Sequence, residues 1–333
     1  YGVHKIPYHY FRGLSIIALP EVIILLLLTI AQGTTIAGAN ASRWIQVPLV
    51  GVTFQTSTLA AVVLMTYVAR YLSTIEGRIV TFKETLLPLW VPVFLVLALI
   101  LPANFSTAAI IFAMVSLLVF IGGYPLKYLA IILGAGLLML SLFVVTAKAF
   151  PGVFPNRVDT WISRVESFAD KTDTEANYQI DQAKIAIASG GITGLGPGKS
   201  VQKNFLPQSS SDFIYAIIVE EFGIVGALGI MIVYLMLLFR LVIVAHKSSD
   251  MFSKLLVIGV GLPIVFQALI NMAVAVSLFP VTGQTLPLIS SGGSSIWMTC
   301  LALGMVLSVS AKRVIKKKDD DTENPLDILS QTL

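Results

Sequence analysis

The stretch "GIVGALGIMIVYLMLLFRLVIVAH", residues 223–246, decides the class of fold. Arg240 is its one Lys, Arg, Asp or Glu. Because a helix that crosses the hydrocarbon of a bilayer needs about 20 mainly apolar residues, the stretch predicts a transmembrane span. The whole chain agrees, since 56% of its 333 residues are hydrophobic and 12% are charged. A soluble chain carries about 25% charged residues, so a polytopic membrane protein is predicted.

Seven further stretches have a similar length and apolar character, which gives about eight predicted spans. The spans are residues 14–33, 52–72, 85–101, 106–122, 126–149, 223–246, 253–278 and 290–311. The predicted fold class is an all-α polytopic membrane domain over residues 1–318, followed by a disordered cytoplasmic tail over 319–333. The chain starts at Tyr1 without a signal peptide, which favours a start inside a longer protein.

Basic residues in the short connections predict the orientation in the membrane. They collect at both chain ends and around the 73–84 and 247–252 loops, whereas the alternate connections at 102–105 and 279–289 hold none. Since cytoplasmic loops carry the excess of Lys and Arg, both ends are expected in the cytoplasm. Residues 150–222 then form a long extracytoplasmic loop, which the stretch "NYQIDQAKIAIASG" predicts to be partly helical. The outer face is where we expect chemistry.

Directly before the opening span, "LPQSSSDFIYAIIVEEFG" (206–223) places three carboxylates in an apolar segment. Ser211 or Asp212 could cap a short interfacial helix there, which is a structural role. A carboxylate near hydrocarbon is costly, however, and favours a functional role, so both interpretations of Asp212 stay open. On a helix, Glu220 lies about 80° around and about 12 Å along from Asp212, and Glu221 lies on the opposite side. The three acids therefore do not form a close pair.

Two other motifs narrow the chemistry. The stretch "GGITGLGPGKS" (190–200) is not a phosphate-binding P-loop, because Thr193 stands where the pattern requires glycine, and a turn-rich connector is favoured. Its backbone amides could still meet a diphosphate. The histidines, His4, His9 and His246, all fall on the predicted cytoplasmic side. This excludes a Ser–His pair on the outer face, and the sequence contains no zinc motif.

Two polar segments on the outer side complete the candidates. The stretch "FPVTGQTLPLISSGGSS" (279–295) is rich in Gly, Pro and hydroxyl groups. Such broken backbone at membrane depth is tolerated where it is buried in protein or lines a wet cavity, and an ordinary turn is the alternative. In "GANASRWIQVPLVGVTFQTS" (38–57), Arg43 suits an anionic group such as a phosphate. An anchor at the lipid headgroups together with Trp44 fits equally well.

The motifs "ASRWI", "FQTSTLA", "SGGITGLGPG", "LPQSSSDFIYAIIVEEFG" and "PVTGQTLPLISSGGSS" together resemble the SEDS family of bacterial membrane proteins (shape, elongation, division and sporulation). They match in order and over nearly the whole chain. The wording "TLPLIS" is more similar to the division type than to the elongation type. Family members have ten spans, so the resemblance implies that the eight spans here are the third to the tenth.

The resemblance implies a peptidoglycan glycosyltransferase of the bacterial cytoplasmic (inner) membrane, which polymerises lipid II on the outer face for septal wall synthesis. Asp212 matches the family's essential acid and would act as the base that takes a proton from the acceptor hydroxyl. The lipid diphosphate leaves as an anion and needs no general acid. Arg43, Lys184 or a divalent cation (Mg or Mn) could offset its charge.

The resemblance also implies partners and weaker site candidates. The partners are the growing glycan strand, a class B penicillin-binding protein (a transpeptidase), other division or elongation proteins and membrane lipid, with no nucleic acid. Substrate-binding positions are expected at Arg43, Gln55, Ser57, Gln182, Lys184, Thr282, Ser290, Gly292, Gly293 and Ser294. Structural or positioning roles are expected at Trp44, Glu220, Glu221, Gly191, Gly194 and Gly196. No metal ligands are assigned.

The chain departs from the family pattern at several positions. Thr58 and Ala61 stand where the family usually has the Glu and Lys of S-E-x-x-K. Asn104 stands in place of the Asp of P-D-x-G-T, and Gln208 and Ser210 stand where Glu and His are common before the essential acid. These departures indicate a divergent branch and leave Asp212 in place.

Two other functions stay in competition. A transporter that flips a lipid-linked precursor would share the spans and the cavity, but it is expected to carry ionisable residues at mid-membrane on several helices. Here the spans are almost bare of charge, with Glu21 as an exception, and the polar groups collect on one side. A non-catalytic scaffold of the division machinery would instead tolerate loss of Asp212.

Overall fold

The computed structural model describes residues 1–32, 44–46, 53–149 and 175–320. Most of these residues lie in helices, whose backbone groups hydrogen-bond within the helix, as lipid requires. The helices are α1 (His9–Gln32), α2 (Thr56–Thr74), α3 (Phe82–Ile100), α4 (Phe105–Ile121), α5 (Leu126–Ala149), α6 (Glu175–Gly190), α7 (Ile214–His246), α8 (Met251–Ala275) and α9 (Gly293–Asp320). Short 3-10 turns cover Val3–Lys5 and Gln202–Asn204.

Five of the helices are long and apolar enough to cross a membrane. They are His9–Ala31, Phe82–Ile100, Ile214–His246, Met251–Ala275 and Gly293–Ala311. Helix α4 and the apolar part of α5 are shorter, and α2 coincides with a predicted span without meeting the same criterion. The predicted fold class, a helical multi-pass membrane protein, is therefore confirmed, and the count of eight spans stays a prediction.

Helix α7 begins at Ile214 and is interrupted at Gly223, which has φ 66° and ψ −165°. The short helix predicted after Asp212 and the helix predicted from residue 223 thus correspond to the two parts of α7, which meet at this kink. Helix α9 continues to Asp320, past the predicted boundary of the tail at 318, and residues 321–333 lie outside the described ranges.

A small antiparallel ribbon accompanies the helices and was not expected. Strand β1 (Trp44–Gln46) pairs with β2 (Thr53–Gln55), so that Trp44 lies opposite Gln55. Helix α2 starts directly after β2, and β2 lies against α9. The ribbon therefore places two of the predicted site residues at the end of the bundle where α9 begins.

Two hydrophobic clusters hold the bundle together. The larger one is built around α2 and α8, which pack on each other through fully buried side chains such as Leu64, Val68 and Leu255. The smaller one joins α6, α7 and α8 to the connecting segments through Phe213, Leu286 and their neighbours. The smaller cluster anchors both loops that carry the candidate site, because Phe213 directly follows Asp212 and Leu286 lies within 279–295.

Candidate active site

The loop that carries Asp212 is a tight turn in front of α7. Gln208 has φ 58°, and its carbonyl accepts hydrogen bonds from the amides of Ser211, Asp212 and Phe213 at 3.0, 3.1 and 3.3 Å. Phe213 occupies the N-cap position of α7, and no side chain caps the helix there. The expectation that Ser211 or Asp212 caps this helix is therefore wrong. The Ser211 hydroxyl instead donates to Oε1 of Gln208 at 2.7 Å.

The Asp212 loop lies against the segment 279–295. A methyl group added at Gly283 would contact Oδ2 of Asp212 at 3.5 Å, so this carboxylate faces a position without a side chain. The Ser290 hydroxyl donates to the Ser211 carbonyl at 2.6 Å, and the Ser291 amide donates to the Ser210 carbonyl at 2.9 Å. Two polar segments that are far apart in the sequence thus meet around a partly buried carboxylate.

Helix α8 supplies two amide side chains that hold these segments. Asn271, 1% exposed, donates through Nδ2 to the carbonyls of Asp212 and Gln284, both at 2.7 Å. One turn earlier, Gln267 donates to the Thr285 carbonyl at 3.0 Å. The sequence analysis missed both residues. Their signal is an i, i+4 pair of amides in an otherwise apolar run, which places them on one face of the helix.

Helix α4 also reaches the site through its first turn. Nε2 of Gln284 donates to the Thr107 hydroxyl at 3.0 Å. Asn104 is the N-cap of α4, and its side chain accepts a hydrogen bond from the Thr107 amide at 3.2 Å. Asn104, at the position where the resemblance leads one to expect Asp, therefore has a helix-capping function, because both side chains offer an acceptor oxygen.

Glu220 is enclosed rather than presented to the site. It is 1% exposed and accepts hydrogen bonds from the Ser200 hydroxyl and from the amides of Val201 and Gln202, at 3.1 and 3.3 Å. Glu221 is half-buried and accepts one long hydrogen bond, from the Ser200 amide at 3.4 Å. A buried carboxylate is stable when it receives several donors, and Glu220 receives them from a single short turn.

Residues 190–198, which we name the glycine loop, fill the break in α7. The amides of Ile224 and Val225, just after the kink, donate to the carbonyls of Gly191 and Ile192 at 3.0 and 3.2 Å. Just before it, the carbonyl of Glu220 accepts from the Leu195 amide at 2.9 Å. The Glu221 carbonyl likewise accepts from the Gly196 amide at 2.9 Å. The loop thus pairs backbone groups that the kink removes from the helical ladder.

Glycine is required where this loop touches α7. A methyl group at Gly194 would lie 2.1 Å from the Glu221 carbonyl oxygen, and one at Gly223 would lie 2.2 Å from that of Ile192. Both residues also have positive φ. The amides of Leu195 and Gly196 already have acceptors in α7, so these two amides do not meet a diphosphate in this arrangement.

The remaining candidates lie in three places. Nε2 of Gln55 donates to the Ser57 hydroxyl at 3.1 Å, and Ser57 is buried beside a crevice lined by Thr29, Thr56 and Asn104. On α6, Lys184 is exposed and lies 3.5 Å from Asp181 of the same helix. Gln182 is half-buried. Arg43 falls outside the described residues, next to Trp44 in β1.

The segment before α9 holds the last candidates. The buried Ser290 hydroxyl donates to the Ser211 carbonyl and accepts the Leu286 amide at 2.7 Å, so it has no second hydrogen for a substrate in this arrangement. Ser294 is buried, and its hydroxyl has no hydrogen-bond partner among the described residues. Thr282 and Gly292 are half-buried, and Gly293 is exposed at the start of α9.

Within the described ranges, no three His, Cys, Asp or Glu side chains gather to form a metal site. A cation beside Asp212 would therefore need ligands from the substrate or from backbone and hydroxyl oxygens. Magnesium commonly uses one or two carboxylates together with substrate phosphates in this way.

The apolar helices define a multi-pass membrane protein, and within the described ranges two polar loops meet at the Asp212 carboxylate. The family model for FtsW, RodA and SpoVE, described as cell cycle protein, matches residues 1–315. The chain belongs to this family.

Curated relatives agree with the assignment. The chain is 31% identical over 313 residues to a probable peptidoglycan glycosyltransferase FtsW of Nitrosococcus halophilus, covering 93% of this chain and 78% of the relative. It is 34% identical over 276 residues to a probable peptidoglycan glycosyltransferase FtsW of Saccharophagus degradans, covering 81% of this chain and 68% of the relative. These names confirm the predicted activity class and the predicted resemblance to the division type.

Solved structures share the fold. A chain from a structure entitled "Structural coordination of polymerization and crosslinking by a peptidoglycan synthase complex" has a TM-score of 0.75 at 29% identity, over 93% of this chain and 84% of that chain. The crystal structure of Rod shape determining protein RodA from Thermus thermophilus has a TM-score of 0.65 at 26% identity, over 93% and 82%.

Proposed function

We propose that this protein is the glycosyltransferase that polymerises lipid II into glycan strands at the outer face of the cytoplasmic membrane during septal wall synthesis, with Asp212 as the catalytic base. The observation that carries the proposal is the meeting of Asp212 with the polar segment 279–295 at Gly283. A glycine there keeps the space directly beside the carboxylate free of a side chain.

The chemistry needs one carboxylate. The hydroxyl of the acceptor sugar attacks the anomeric carbon of the donor and gives its proton to Asp212, while the bond from that carbon to the lipid diphosphate breaks. The diphosphate departs as an anion and takes no proton. This differs from glycoside hydrolysis, in which a second carboxylic acid protonates a poor leaving group.

The surroundings of Asp212 suit a base. Its main chain is held by Gln208 and Asn271, so the carboxylate starts from a fixed backbone position. A held backbone reduces the reorganisation needed when the acceptor binds. Lys184, Arg43 or a divalent cation would offset the charge of the leaving group.

The orientation and the partner belong to the same proposal. Both chain ends face the cytoplasm, and the Asp212 loop and the glycine loop face outward, which agrees with the basic residues of the opposite loops. A class B penicillin-binding protein is the proposed partner, because a solved neighbour comes from a complex whose title joins polymerization and crosslinking.

The test is polymerisation of labelled lipid II by the purified full-length protein with its penicillin-binding partner, with glycan chains resolved on gels. Asp212→Asn should abolish chain formation while expression and partner co-purification persist. Glu76→Gln is the matched control, because it neutralises an exposed carboxylate in the turn after α2 and should keep full activity. Full polymerisation by Asp212→Asn would overturn the catalytic assignment.

The competing functions give different results in the same experiments. A flippase would move labelled lipid II across liposomes in a manner that depends on Asp212. A scaffold would support its partner equally well with Asn at position 212. Either result together with unchanged polymerisation by Asp212→Asn would replace the proposal.

A further inference from the structure

Asn271 is an unusual residue for an apolar helix. It lies on α8 between apolar neighbours and is 1% exposed. A buried amide costs free energy unless it is hydrogen-bonded, so its presence requires a compensating contact. The contacts it makes are both with main-chain carbonyls, and neither belongs to its own helix.

One NH2 group of this side chain joins three parts of the molecule. Its two hydrogens serve the carbonyl of Asp212 and the carbonyl of Gln284, each at 2.7 Å from Nδ2. Gln284 directly follows Gly283, the residue that the Asp212 carboxylate faces. The side chain therefore sets the distance between the residue that bears the carboxylate and the segment opposite it.

The two acceptor carbonyls determine the orientation of the Asn271 side-chain amide. An oxygen in place of Nδ2 would lie 2.7 Å from two carbonyl oxygens and would be repelled by both. Oδ1 has no hydrogen-bond partner among the described residues. The side chain is therefore kept for its two donors, and an isosteric carboxylate cannot replace it.

We propose that Asn271 is a positioning residue that aligns the Asp212 carboxylate with the substrate bound over Gly283. This inference rests on the proposed role of Asp212 as the base. A donor that clamps two carbonyls acts on geometry, and misplacement of a reacting group by about 1 Å can cost about 100-fold in rate.

Gln267 provides a matched control in the same helix. It lies one turn earlier, and its Nε2 also donates to the segment 279–295, at the Thr285 carbonyl and hydroxyl. It makes no hydrogen bond to the Asp212 loop among the described contacts. Removal of Gln267 loosens the segment without freeing the carbonyl of Asp212. A comparison of variants at the two residues therefore distinguishes an effect on packing from an effect on the position of Asp212.

The experiment compares Asn271→Leu, Asn271→Ser and Gln267→Leu by the kcat and KM of lipid II polymerisation and by thermal unfolding in detergent. All rates are expressed per folded molecule. For Asn271→Leu we expect kcat to fall about 10- to 100-fold while KM changes less than about threefold. Asn271→Ser keeps one donor and should retain an intermediate kcat. Gln267→Leu should lower the unfolding temperature, and its loss of kcat should be smaller than that of Asn271→Leu.

Two outcomes would overturn the inference. One is an equal kcat for Asn271→Leu and Gln267→Leu at comparable loss of stability, which would reduce Asn271 to a packing role. The other is a rise in KM for Asn271→Leu as large as the fall in kcat, which would assign Asn271 to substrate binding and not to the alignment of Asp212. If Asp212→Asn alone keeps full activity, the proposed function fails instead, and the two failures are distinguished.

Discussion

Two carboxylates of the same helix region are held in opposite ways. Glu220 has its carboxylate surrounded by three donors from residues 200–202 and is almost completely buried. Asp212 is held through its main-chain carbonyl by Asn271, and its carboxylate is partly exposed beside Gly283. The first arrangement uses the charge to fix the fold, and the second fixes the backbone beside a position that has no side chain.

Changes near Glu220 and changes near Asp212 are expected to alter different properties, stability in the first case and catalytic rate in the second. Changes around Glu220 and the glycine loop should mainly alter the free energy of unfolding, since those groups hold backbone. Changes that reach Asp212 should mainly alter turnover. The following predictions test that separation, in order of decreasing effect on stability.

The largest effect is expected for Glu220→Ala. Loss of this carboxylate leaves the Ser200 hydroxyl and the amides of Val201 and Gln202 without an acceptor, which should destabilise the protein by about 3 kcal/mol or more. Glu221→Ala removes a single long hydrogen bond and should cost less than about 1 kcal/mol. Thermal unfolding in detergent measures both. Equal stability of the two variants would show that the hydrogen bonds to Glu220 do not stabilise the fold more than the one to Glu221.

A smaller effect is expected where the glycine loop touches α7. In Gly194→Ala the new methyl group would lie 2.1 Å from the Glu221 carbonyl oxygen, so we expect a loss of about 3 kcal/mol. Gly198→Ala is the matched control, because φ is also positive (74° against 80°) but the space around it is open. It should cost about 1 kcal/mol through backbone strain alone.

If Gly198→Ala proves as damaging as Gly194→Ala, conformational strain and not the close approach to α7 explains the glycines. Unfolding of the two variants in parallel decides between these causes. Both are expected to leave kcat per folded molecule near that of the unmodified protein.

The hydrogen bond between Gln284 and Thr107 should contribute about 1 kcal/mol. Gln284→Ala and Thr107→Val each remove one partner, and the double variant should be less destabilised than the sum of the two. A double-mutant cycle on unfolding free energies gives the coupling energy. Strict additivity would show that α4 and the segment 279–295 are not coupled through this contact.

The smallest effect concerns a third carboxylate, Asp250, which caps α8 at the other end of the helix. Burial would raise the pKa of Asp250, but hydrogen bonds from Tyr8, Ser253 and Ser249 outweigh burial and bring the pKa below its usual 3.8. Since the folded pKa is the lower one, the stabilisation is present above pH 3.8 and is lost as the pH falls through the folded value.

Asp250→Asn should therefore cost about 0.5 kcal/mol at neutral pH, because Asn remains a good cap while the charge is lost. The difference in unfolding temperature between this variant and the unmodified protein should shrink in acid. If the difference in unfolding temperature instead grew as the pH fell, the pKa of Asp250 would be raised in the folded protein and not lowered.

The sequence predicted the spans well, and the contacts between loops poorly. Apolar runs such as 126–149 specify a helix by composition alone, and α5 has those bounds. The resemblance assigned Asp212 and the segment 279–295 to one site, and the two are in contact at Gly283, while the role of the segment in substrate binding stays a prediction. Strands of three residues, such as β1 and β2, are too short to show the alternation of apolar and polar side chains by which a strand is recognised in a sequence.

The other features that the sequence did not predict depend on tertiary hydrogen bonds. Asn271 was passed over because a sequence does not show which carbonyls an amide will meet. The sequence predicted both helical parts of α7, but not the contacts of the glycine loop that hold the break at Gly223. Asp212 was considered as a cap because a sequence does not reveal that Gln208 has positive φ.

The break in α7 also has a consequence for how the protein is assembled in the membrane. The amides of Ile224 and Val225 donate to the carbonyls of Gly191 and Ile192. Because a backbone group left unpaired away from water costs free energy, the kink at Gly223 is stable only when the glycine loop is docked against α7. A glycine loop that docks late in folding would therefore leave α7 without its kink.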